Sequence, residues 1–76
     1  MTPLEKTIIV SNAQYEIDCA FGEIYERWDG LTTIEKITLE FMYFCKVHTI
    51  VVDVYTKYGV RVEDLVKIHH LDIKKD

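Results

Sequence analysis

The sequence predicts an all-α fold: a three-helix domain with a long antiparallel helical hairpin and a short C-terminal helix, its apolar content favouring a homodimer. Three observations carry that expectation. Helix-start signatures open two segments, TPLE at residues 2–5 and TTIE at residues 32–35. Glycine punctuates the chain after each, at Gly30 and Gly59. Between those marks, apolar residues recur at helical rather than alternating spacing. The 76 residues, 1–76, make one small domain near the lower limit of unaided folding.

The first helix starts with Thr2 as cap, Pro3 at the first helical position and Glu5 three residues after the cap. Val10, Ala13, Ile17, Phe21, Ile24 and Trp28 form its apolar stripe, and Glu16, Asp18, Glu23 and Glu26 turn acid to solvent. WDGL places Gly30 where a left-handed C-cap residue is wanted.

The second helix starts at once, with Thr32 capping and Glu35 completing a capping box. Phe41, Phe44, His48, Val51 and Tyr55 share one face, and this is the face expected to pack on the first helix. Tyr43, Val47, Ile50 and Val54 form a second apolar side, assigned to association with another copy or partner. Only a narrow strip is polar, so the helix is expected to be covered on more than one side. The β-branched run VHTIVVDVY, like KTIIV near the start, also fits strands near residues 7–10 and 48–56. Good caps and the absence of internal turn residues favour helix.

After Gly59, VRVEDLVKIHHLDI reads as a short third helix. Glu63 and Asp64 lie in its first turn, and Lys67, His69 and His70 in its last, as the helix dipole prefers. The tail DIKKD reads as frayed.

Composition narrows function. Apolar residues are 49% of the chain, with one tryptophan, five tyrosines and three phenylalanines, more than so small a body can hide. Net charge is −4 and uneven: residues 1–45 hold eight acids and three bases, and residues 46–76 five acids and six bases. The opening MTPLEKT lacks a basic, apolar leader, and no run approaches the roughly 20 apolar residues that span a bilayer. Cys19 and Cys45 are too few for a disulfide scaffold, which points to reduced thiols and a cytoplasmic location.

Gly59, flanked by apolar Val54, Tyr58, Val60, Leu65 and Ile68, also fits the turn of a helix-turn-helix. A dimeric DNA-binding regulator of that kind would present Arg61, Lys67 and His70 to DNA. Against it, Val62 and Val66 would face the groove, and Glu63 and Asp64 sit beside Arg61 where phosphates require positive charge. The stretch KYGVRVEDLVKIHHL resembles the middle of a LysM glycan-binding module, where such a segment joins two helices. The strands that should flank it are missing, and no family is assigned on it.

Cys45, His48, His69 and His70 have metal-binding chemistry, but adjacent histidines point apart on a helix, so no metal or cofactor is expected. No phosphate loop, nucleophile elbow or metalloprotease signature is present, and the chain is expected not to be an enzyme. Ile8, Tyr15 and Cys19, with Glu26, lie opposite the main stripe of the first helix and form a candidate partner-binding patch together with Tyr43, Val47, Ile50 and Val54. The expected function is therefore regulatory or adaptor binding of another protein, in the style of small inhibitors from phages and mobile elements.

Overall fold

The computed structural model describes residues 1–70. The DIKKD tail, and the end of the expected third helix from Leu71 onward, lie outside the described residues. Helix α1 spans Pro3–Tyr25 and helix α2 spans Thr33–Tyr58, each followed by a single 3-10 turn, at Trp28–Gly30 and Val62–Asp64. No strand occurs among the described residues, so the β-branched segments at 7–10 and 48–56 are both helical. Capped ends and packing along the whole hairpin outweigh their modest strand preference.

The Thr2 side chain accepts a hydrogen bond from the Glu5 amide at 3.2 Å and donates to the Glu5 carboxylate at 3.0 Å, with Pro3 in the first turn. At α2 both halves of the capping box form. Thr32 Oγ1 accepts from the Glu35 amide at 3.2 Å, and the Thr32 amide donates to Glu35 Oε1 at 3.1 Å. The bond from the Thr32 amide, followed by that from the Thr32 hydroxyl, holds the Glu35 carboxyl below its ordinary range. The other end of α2 stops on Gly59, in the left-handed region at φ 70°, with its amide bonded to Tyr55 O at 2.8 Å.

Gly30 is different. It is not left-handed; Gly59 is the only residue with positive φ among those described. Helix α1 ends earlier, with Glu26 still right-handed, and the chain leaves through the 3-10 turn. Trp28 is the reason: the turn swings its ring into the core, 8% exposed, with the Lys36 ammonium 5.5 Å from the ring centre.

The core confirms the stripe on α1 and inverts the one expected on α2. Ala13, Ile17, Ala20 and Ile24 are buried, with Val10 and Phe21 packed at the edge. They meet Tyr43, Val47, Ile50 and Val54, the four residues assigned in the sequence to a partner. The face expected to be core is partly outside: Phe41 and Tyr55 are exposed, His48 is exposed, and Phe44 and Val51 are half-buried. The two faces of α2 are adjacent seams of the same spacing. Small Ala13 and Ala20 on α1 let the helices approach, and the medium-sized Val47, Ile50 and Val54 fill the close contact.

The third helix does not form as expected. Past Gly59, Val60 and Val62 are both buried while Arg61 between them is exposed, an alternation that extended chain satisfies and helix does not. Only the turn Val62–Asp64 follows, and the chain then runs as an irregular arm to His70. The body measures 49 × 18 × 16 Å, so it is no more than two helices thick.

Candidate interaction surface

That thinness leaves the outer sides of both helices open. On α2, Ile34, Ile37, Phe41, Tyr55 and Tyr58 are each at least half exposed, and Val52 nearly so. With Phe44, His48 and Val51, all of these but Val52 advance in alternating steps of three and four residues, the spacing of a coiled-coil seam. Beside the seam lies an open groove of about 790 Å³, walled by Phe44, Val51 and Tyr55 on α2 and by Arg61, Glu63 and Ile68 on the arm. His48 contributes an imidazole to an otherwise apolar floor.

The arm is held by side chains of α1 far away in sequence. Gln14 reads the backbone of Lys67 in both directions: Nε2 donates to its carbonyl at 2.9 Å, and Oε1 accepts from its amide at 2.6 Å. Those are the two groups an α-helix would have bonded internally, which is why the clamp replaces the third helix. Two residues on, the His69 ring stacks on Phe21 at 4.6 Å, with its Nε2 2.6 Å from Asp18 Oδ1. The His69 amide donates to the Tyr43 hydroxyl at 3.0 Å, which satisfies the polar end of an otherwise buried ring.

The bond to His69, then that to Gln14, holds the Asp18 carboxyl below its usual value. Burial pushes the Tyr43 hydroxyl up, against the opposing bond from the His69 amide. His70 lies on Phe44, ring centres 5.5 Å apart, and Phe44 on Tyr43 at 5.3 Å. The arm is therefore fastened through aromatic and polar contacts to both helices. Gln14 was not singled out in the sequence, and Asp18 and Phe21 were placed only on the acidic face and the apolar stripe of the first helix, because their partners lie about 50 positions away and no local pattern marks such a pairing.

The sequence-predicted patch on α1 is on the surface. Ile8 and Tyr15 are 51% and 65% exposed, and Cys19 and Glu26 are exposed as well, with Leu4 continuing the stripe towards the start. The Cys19 side chain one turn on raises the Tyr15 hydroxyl above the ordinary phenol range. Tyr43, Val47, Ile50 and Val54, placed with these four by the sequence, are instead in the intrachain core.

The candidate DNA-contacting residues are not on a helix. Arg61 pairs with Glu63 at 3.4 Å, Lys67 has its backbone clamped by Gln14, and His70 lies against Phe44. Val62, which a recognition helix would turn outward, is fully buried. Cys45, His48, His69 and His70 do not converge, and no cluster of three or more His, Cys, Asp or Glu residues suited to a metal ion occurs among the described residues. No helix of the described residues is long and apolar enough to cross a membrane.

The chain matches no protein-family model, no curated protein and no solved structure.

Proposed function

We propose that this chain is a small acidic, non-enzymatic regulatory or adaptor protein that acts by binding another protein, an inhibitor of the kind carried by phages and mobile elements being one such role. One observation carries the reading: large apolar side chains line the outer side of α2 along its length and recur on the outer side of α1 at Leu4, Ile8 and Tyr15. Tyrosine and phenylalanine on such stripes supply rigid, amphipathic anchors of the type that dominate protein interfaces. The acidic body around the α1 stripe, with Glu16 and Glu23 nearby, favours a partner with basic character at the rim of its contact. Free Cys19 and Cys45 support action in the reducing cytoplasm.

A helix-turn-helix reading has less to stand on, since residues 61–70 offer no recognition helix and Arg61 is neutralised by Glu63. The two are separated by comparing the purified chain with its Ile8→Glu/Tyr15→Glu and Arg61→Glu/Lys67→Glu variants, each checked for helicity by circular dichroism. Protein binding predicts that the first pair abolishes capture of a cognate protein and the second leaves it unchanged. Retention of random-sequence DNA at low salt, lost with the second pair, would overturn the proposal.

A further inference from the structure

We infer that the outer seam of α2 is covered by a second copy of this chain, lying antiparallel to the first, which leaves the α1 stripes for a foreign partner. The inference rests on reading the exposed stripes as binding surfaces and assigns an occupant to one of them. Three features of the seam specify that occupant.

The first is continuity. The seam runs from Ile34 to Tyr58, the whole of α2, or about 36 Å at 1.5 Å per residue. An uninterrupted step of three and four residues over that length suits another helix of the same period and length, and a copy of α2 supplies one.

The second is area. Taking about 150–250 Å² for a large side chain, the exposed fractions of Ile34, Ile37, Phe41, Tyr55 and Tyr58 leave on the order of 600 Å² open per chain. Val52 and His48 bring this close to the roughly 800 Å² per partner that a stable interface buries.

The third is complementarity of size, which selects the orientation. Aliphatic Ile34 and Ile37 stand at one end of the seam and bulky Tyr55 and Tyr58 at the other. A parallel copy would face tyrosine with tyrosine and isoleucine with isoleucine. Reversed about a two-fold axis near Lys46, Ile34 meets Tyr58 of the second copy, Ile37 meets Tyr55, Phe41 meets Val51, and Phe44 meets His48. Large then packs on small at both ends, and the helix dipoles oppose each other. Cys45 falls beside the axis, close to Cys45 of the second copy. The α1 stripes, on the far sides, then point outward in opposite directions and make the dimer bivalent.

Sedimentation equilibrium between about 1 and 300 μM and cross-linking with a short bis-maleimide test this together. The expected species is twice the 9.0 kDa monomer, reduced to monomer by Phe41→Glu/Tyr55→Glu with helicity retained and left intact by Ile8→Glu/Tyr15→Glu. The covalent dimer is expected to persist in Cys19→Ser and to vanish in Cys45→Ser. A monomer throughout the range overturns the inference; if Ile8→Glu/Tyr15→Glu still abolishes protein capture, the proposed function survives that failure. A dimer that dissociates only with the α1 variant overturns the choice of face. Cross-linking that ignores Cys45 overturns the placement of the axis near Lys46.

Discussion

The two apolar faces of α2 differ less in composition than in what lies opposite them. The inner face carries Tyr43, Val47, Ile50 and Val54; the outer face carries Phe41, His48, Val52 and Tyr55. Both follow helical spacing, and the outer one holds more aromatic rings. The inner face is core because α1 presents small alanines to it and because the arm supplies a donor for the Tyr43 hydroxyl. Burial in this protein is decided by fit and by polar satisfaction, and apolar content alone does not rank the faces. The outer face keeps its apolar surface open, which is the feature both functional proposals use.

The largest test of that contrast is a pair of truncations. Ile50→Ala on the inner face is expected to destabilise by about 2–5 kcal/mol, enough to unfold much of so small a domain. Phe41→Ala on the outer face should stay within about 0.5 kcal/mol, followed by urea unfolding at concentrations where the chain is monomeric. The opposite ranking would mean that the faces are exchanged.

Gly59 sets where the arm begins, and thereby how the groove beside the outer face is walled. A Cβ there meets nothing within 4 Å, so Gly59→Ala should cost about 1 kcal/mol through the left-handed backbone alone. A thermal melt showing no loss would contradict the cap.

Gln14 tests whether the arm is fastened as a unit. Gln14→Ala removes both bonds to Lys67 and should cost about 1 kcal/mol, with the Lys67 and His69 amides losing protection in hydrogen exchange while α2 amides keep theirs. Protection unchanged at Lys67 would show that the apolar contacts hold the arm without the clamp.

The smallest effect is confined to acid. Asp18 has its carboxyl lowered by His69 and Gln14, so its contribution is present above the ordinary aspartate value of about 3.9 and is lost as pH falls through the lower folded-state value. Asp18→Asn should therefore flatten the acid limb of the stability curve below about pH 4 and lower the plateau at neutral pH only slightly, because the group is exposed. Identical acid limbs in the two proteins would remove Asp18 from the latch.

The sequence by itself determined the two long helices, the Thr32–Glu35 capping box, the left-handed stop at Gly59 and the buried side of α1. Each is a local signal: a cap is complete within four residues, and the apolar residues of α1 from Val10 to Trp28 recur on one side more fully than on any other. The outward position of Ile8, Tyr15, Cys19 and Glu26 was legible for the same reason. Three things were decided only by the tertiary structure. On α2 the apolar sector is too wide for periodicity to choose between adjacent seams, and the alanines of α1 make that choice. At Gly30 the demand of Trp28 for burial overrides a glycine stop that looks adequate locally. Along residues 60–70 the helical pattern is real, but Val60 and Val62 both find the core and Gln14 takes the backbone bonds of Lys67. These outcomes depend on groups that approach only after the hairpin closes, and a contact between residues 14 and 67 leaves no trace in the spacing around either.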